Sequence, residues 1–121
     1  MSAWAWIGVA VLGGVGAIAR FVIDGRISER LDGDFPFGTL AINLSGALLL
    51  GLLTGLALSG DALVLAGTAT LGSYTTFSTW MLETQRLVED GAVRAGAVNA
   101  VLSVVVGVAA AALGRTIGAN L

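Results

Sequence analysis

The stretch GSYTTFSTW, residues 72–80, decides how this chain is read. Six of its nine residues, Ser73, Tyr74, Thr75, Thr76, Ser78 and Thr79, carry hydroxyls, yet they sit in a segment without charge. From Ala62 to Leu82 there is no Asp, Glu, Lys or Arg, and Gly72 is the midpoint. One or two Ser or Thr residues in a membrane helix bond back to a carbonyl one turn earlier and signify little. Six in seven positions, directly after a glycine, instead predict a helix broken at mid-membrane. Irregular backbone at that depth is tolerated only where protein or a cavity surrounds it, and it commonly marks an ion site. An unwound turn there exposes carbonyls to a cation and hydroxyl donors to an anion. The plainer alternative is a continuous helix whose hydroxyls bond to neighbouring helices.

The rest of the chain supports a membrane setting. Of 121 residues, 56% are hydrophobic and 12% charged, with no Lys and no His, a mixture far from that of a soluble domain. Residues 3–19, 35–60, 62–82 and 95–114 contain no charge at all. A helix needs about 20 apolar residues to cross a hydrocarbon core about 30 Å thick. The expected fold is therefore an all-α membrane protein, one domain of four transmembrane helices with spans at about 3–23, 37–58, 62–88 and 95–114. The first span has no basic residue before it and no clear cleavage site after it, so it reads as a helix and not a secretory signal. Continuous apolar runs, without two-residue alternation, argue against a membrane barrel.

Other classes are disfavoured by what is missing. Without cysteine there is no disulfide or thiolate metal site to propose. A net charge of −2 over short loops argues against nucleic-acid binding. With no His, no Cys and no carboxylate inside a charge-free span, an enzyme lacks a base or nucleophile. The connections carry ordinary punctuation: Pro36 opens the second helix, Ser59, Gly60 and Asp61 turn into the third, and Gly91 stops the third after Asp90. Four short helices leave little room for a pathway inside one subunit, so an oligomer is expected. Its candidate faces are Gly51-x-x-x-Gly55 and the row Asn99, Ser103, Gly107 and Ala111, each at four-residue spacing.

Three motifs in order, GGVGAIARF (13–21), FPFGTLAINLSG (35–46) and GSYTTFSTW (72–80), resemble the CrcB/Fluc family of fluoride channels. The resemblance covers about the whole chain. It implies an antiparallel, dual-topology dimer with two fluoride pathways around a central structural sodium ion. Such a channel exports fluoride passively across the plasma membrane of a prokaryote and so confers fluoride resistance. Fluoride is small and strongly hydrated, and a pore must replace its water with closely spaced hydrogen-bond donors. On the fluoride pathway the resemblance places Asn43 with its amide donors, Thr39 one turn earlier, Ser78 and Thr79 of the hydroxyl core, and Ser103 on the fourth span. Phe77 would present its ring edge, the positive part of the aromatic quadrupole, to the anion. Arg20 would draw anions into a water-filled vestibule. The main-chain carbonyls of Gly72 and Thr75 would hold the sodium.

Two departures from the family pattern stand out. Trp80 replaces a usual Phe on the pathway and adds an indole N–H that could donate to an anion or narrow the path. Asn99 replaces a usual Tyr four residues before Ser103. Glu83 and Arg86, three apart, read as an ordinary helix-surface pair. Arg26, Arg30, Arg86 and Arg94 gather on one side of the drawn topology, while Arg115 stands on the other. Positive charge sets orientation, so this bias raises one alternative, half of an obligate heterodimer with an oppositely oriented paralogue. A small multidrug-type exporter would want a membrane-embedded carboxylate, which no charge-free span supplies. A non-transporting accessory subunit would not need the clustered hydroxyls.

Overall fold

Backbone groups in hydrocarbon must bond within the chain, and the charge-free stretches fold as helices. The structure, a computed structural model describing Met1–Leu121, contains no strand. Its elements are α1 (Ala3–Arg30), α2 (Phe37–Gly55), α3 (Gly60–Leu63), a π-helical segment (Val64–Leu71), α4 (Gly72–Tyr74), α5 (Ser78–Glu89) and α6 (Val93–Ala119). Three of them, α1, α2 and α6, are long and apolar enough to cross a membrane. The chain is a multi-pass, all-helical membrane protein.

Local chemistry sets the ends. The Ser2 hydroxyl accepts the Ala5 amide at 3.2 Å and starts α1, which runs beyond the expected span to Arg30, a cation placed well for the negative end of the helix dipole. Pro36 precedes α2 and gives its carbonyl to the Leu40 amide at 3.1 Å. Gly91 ends α5 at φ 87°: its amide bonds the Val88 carbonyl at 3.1 Å and the Ala92 amide bonds the Leu87 carbonyl at 2.8 Å. A left-handed residue is needed there, and glycine takes that shape without a Cβ clash. Before the break, the Thr70 hydroxyl donates to the Leu65 carbonyl at 2.7 Å, five residues back, which is the period of a π-turn.

The interior is built from backbone and small residues. Only 14 of 121 residues are buried, while Trp4 and Phe21 are each 81% exposed, so the large apolar side chains face outward, as lipid allows. The most extensive helix contact is α2 on α6. Gly51 lies against the Ala111 carbonyl and Gly55 against the Arg115 carbonyl; reciprocally, Gly114 meets the Leu48 carbonyl and Gly118 the Leu52 carbonyl. Approach this close suits Cα–H···O contacts and leaves no room for a Cβ. The Gly51/Gly55 face is thus occupied inside the chain and is not free to join subunits, a correction to the sequence expectation. Its match is a second small repeat, Gly114-x-x-x-Gly118, which hides in a helix already rich in small residues. Likewise Gly16 seats α1 on the Thr70 carbonyl and the Ser73 hydroxyl.

A Cβ at Gly114 would overlap the Leu48 carbonyl, a backbone atom that cannot rotate away. Gly114→Val is expected to destabilise the chain by about 3 kcal/mol or more. Gly14, with nothing within 4 Å of an added Cβ, is the control: Gly14→Ala should leave stability unchanged or raise it by up to about 1 kcal/mol. Thermal melting of the detergent-solubilised proteins distinguishes the two.

Candidate functional site

At Thr75 the chain leaves the helical path, with φ −81° and ψ 162°, and it becomes helical again at Ser78. Such an interruption strands amides and carbonyls where water is scarce, at a cost of about 1–3 kcal/mol for each unpaired group. Asn43, projecting from α2, meets two of these groups. Its Nδ2 donates to the Thr76 carbonyl at 2.8 Å, and its Oδ1 accepts the Thr76 amide at 2.9 Å. Because the Thr76 amide can only donate, the orientation of the Asn43 amide follows from the pairing. The Thr76 hydroxyl in turn accepts the Thr79 amide at 3.2 Å and caps the start of α5.

These diversions leave carbonyls free. In a continuous α-helix the Thr76 amide would bond the Gly72 carbonyl, and the Thr79 amide would bond the Thr75 carbonyl. Both amides are bonded elsewhere. Several hydroxyls are likewise taken up by the irregular backbone: Ser73 donates to Ala69 at 2.7 Å or Thr70 at 3.0 Å, and Thr75 to Leu71 at 3.0 Å. Tyr74 shares a 2.9 Å hydrogen bond with Ser45 on α2. Much of the hydroxyl run therefore holds the irregular segment together. Ser78 is exposed, 3.5 Å from the Thr76 hydroxyl.

Two cavities flank Thr76. One is an open groove of about 650 Å³ whose lining includes Asn43, Gly72, Thr75, Phe77, Trp80 and Ser103. The other, about 380 Å³, is lined by Arg20 and Asp24 of α1, Thr39 of α2, and Thr76 and Thr79, among others. Thr76 lines both. Nine of the ten sequence-predicted site residues fall on these two linings; Ser78 lies on neither. Thr39, expected beside Asn43, is buried on the Arg20 side instead. In the groove, Phe77 is 71% exposed and meets Trp80 edge to face, ring centroids 5.4 Å apart at 81°. The Ser103 hydroxyl is buried with no hydrogen-bond partner.

Some of the geometry escaped the sequence reading. Thr76, the residue common to both cavities, sat among neighbours of the same type with nothing to single it out. Glu83 is half-buried and not a purely surface residue: its Oε1 is buried without a hydrogen bond, and Thr39, Asp24 and Arg86 all lie near it. The three-residue spacing to Arg86 hid this. The Trp80 indole N–H is not turned toward an anion path either, because it donates to the Asn99 carbonyl at 3.2 Å.

Comparison with known sequences agrees with the motifs. The sequence model of the family described as "CrcB-like protein, Camphor Resistance (CrcB)" matches residues 7–115. A relative from Mycolicibacterium paratuberculosis, named fluoride-specific ion channel FluC 2, is 61% identical over 110 residues, covering 91% of this chain and 90% of its own. The protein of the same name from Mycobacterium bovis is 56% identical over 112 residues, with 93% and 89% covered. The fluoride-specific ion channel FluC 1 of Symbiobacterium thermophilum is 44% identical over 119 residues, with 93% and 96% covered.

The double hydrogen bond at Thr76 gives Asn43 a measurable structural share. Asn43→Ala strands an amide and a carbonyl and is expected to lower stability by about 2–4 kcal/mol. Thermal melting in detergent checks this; an unchanged melting temperature would show that the pairing contributes nothing.

Proposed function

The chain belongs to the CrcB-like family, and from that premise we propose that it is a fluoride-selective ion channel that lets fluoride leave the cytoplasm passively across a prokaryotic plasma membrane. Its relatives are ion channels and not enzymes. The single observation that best supports this reading is the position of Asn43 and Thr76, bonded to each other between a vestibule that holds Arg20 and a groove that holds Phe77. A small anion needs donors at each stage of its path. Arg20 concentrates anions in the vestibule, Thr39 and Thr79 line it, and Asn43 keeps one amide hydrogen beyond the one given to Thr76. On the groove side, Phe77 contributes a ring edge and Ser103 an unpartnered hydroxyl.

The composite segment from α3 through α5 would make the remaining crossing, third in chain order, broken at Thr75–Phe77. The groove is open, and we assign its cover to an antiparallel second chain, giving a dual-topology dimer. Gly72 and Thr75 line that groove and their carbonyls have lost their helical donors, which suits a hard monovalent cation. Two chains would bring four such oxygens to one sodium ion, whose fixed charge would lower the barrier to nearby anions. A second reading, a heterodimer with a paralogue, draws on the arginine bias: Arg26 and Arg30 end α1, and Arg94 begins α6, at the same face of the molecule as drawn.

Fluoride efflux from liposomes holding only this purified chain, with valinomycin carrying potassium and chloride efflux as control, tests the proposal. Fast fluoride-selective release is expected. Well-folded protein that releases fluoride only when a paralogue is added would favour the heterodimer; no release in either case would sink the channel reading. Phe77→Ala should reduce efflux by about tenfold or more while changing stability little, because the ring is mostly exposed in the chain. Thr75→Val should keep the sodium dependence of folding or flux, since a main-chain carbonyl survives the substitution.

A further inference from the structure

Trp80, Thr84 and Asn99 form a closed hydrogen-bond circuit between α5 and α6. The Trp80 indole N–H donates to the Asn99 carbonyl at 3.2 Å; the Asn99 Nδ2 donates to the Thr84 hydroxyl at 2.8 Å; the Thr84 hydroxyl donates to the Trp80 carbonyl at 2.8 Å. Each link leaves one residue of the circuit and returns to another. Asn99 is 1% exposed, which is costly for an amide at membrane depth unless it is bonded. The helices can come this close because Gly96 lies against the Thr84 carbonyl and the Val88 side chain.

We infer that Thr84 and Asn99 are positioning residues that hold the Trp80 ring at a fixed angle against Phe77 in the ion-path groove. The inference rests on the conduction reading above and adds residues that it did not use. An indole is larger and less symmetrical than a phenyl ring, and rotation about its two side-chain torsions would sweep it across the groove. The main-chain carbonyl of Asn99 holds the indole N–H, and the Asn99 side chain, bonded to the Thr84 hydroxyl, fixes the stretch of α6 that carries this carbonyl against α5. The Thr84 bond to the Trp80 carbonyl lies within α5 and orients the hydroxyl that receives Asn99. The circuit also gives the indole N–H a protein acceptor, so Trp80 meets the groove with ring atoms and not with a donor. A phenyl ring at this position would have no N–H to tie, and the circuit would lose its purpose.

The test is a double-mutant comparison. In the chain with Trp80, Thr84→Val and Asn99→Ala should each lower fluoride efflux, or the fluoride-to-chloride ratio, by about two- to tenfold, the range of one net hydrogen bond. Thr84→Ser keeps the hydroxyl and should restore the parent value. Made on top of Trp80→Phe, the same two substitutions should add no further loss. A pair that merely glues α5 to α6 would cost the same in both backgrounds, and that result overturns the inference. A second readout does not depend on transport. Trp4 and Trp6 are the other tryptophans, both exposed on α1, so Trp4→Phe with Trp6→Phe leaves Trp80 as the only indole. Its fluorescence anisotropy should fall with Thr84→Val and recover with Thr84→Ser; an unchanged anisotropy also overturns the inference. If the parent chain moves no fluoride yet the anisotropy falls and recovers in this way, the ring is held as inferred and it is the channel reading that fails.

Discussion

The pairing of Asn43 with the main chain of Thr76 is the contact on which the rest of the site depends. A helix cannot be interrupted in lipid unless its stranded amides and carbonyls find partners in the protein. One primary amide answers both needs of one peptide residue, donating at 2.8 Å and accepting at 2.9 Å. The interruption turns Phe77 outward into the groove, and α5 then starts from the Thr76 cap. Without that pairing the irregular turn would carry two buried unpaired groups, and a continuous helix would be the better arrangement of this segment.

Close backbone packing supplies the frame that keeps Asn43 in reach. With so few large side chains buried, the position of α2 is set by glycines against carbonyls along α6, and the position of the broken segment by Gly16 of α1 and by the Tyr74–Ser45 hydrogen bond. Packing of this kind tolerates little displacement, since van der Waals attraction falls off within an ångström. A polar pairing at mid-membrane needs such precision, because a hydrogen bond stretched well beyond 3 Å loses most of its value.

Residue type alone made the membrane setting and the helical class legible. Charge-free runs bound the apolar segments, and six hydroxyls behind Gly72 raised the expectation of a broken helix without saying which residues would leave it. Pairwise geometry was not legible. Nothing in the order of residues says that Gly51 meets Ala111, that Thr39 faces Arg20 and not the Asn43 side, or that one oxygen of Glu83 is buried. Each of these depends on the rotation of one helix against another, which is set by contacts distant in sequence. The hydroxyl run reads as donors to an anion, with Ser78 and Thr79 named on the path; in the structure Ser73 and Thr75 bond carbonyls one turn earlier, and it is the Thr76 amide, turned to Asn43, that frees the Gly72 carbonyl.

That exchange ties the two kinds of ion chemistry together. The Thr76 amide has two possible acceptors, the Gly72 carbonyl in a continuous helix and the Asn43 side chain in the structure as it stands. Choosing Asn43 orients the amide of one groove residue and, by the same bond, frees the carbonyl of another, Gly72. Donor and acceptor surfaces thus arise from one hydrogen bond moved by one partner. On the proposed reading, a cation held by the freed carbonyl would compensate it for its lost donor and favour the broken form, and the broken form is the one that leaves Phe77 and Asn43 facing an anion. Cation binding and anion passage would then be linked through the Thr76 amide, with no moving part between them.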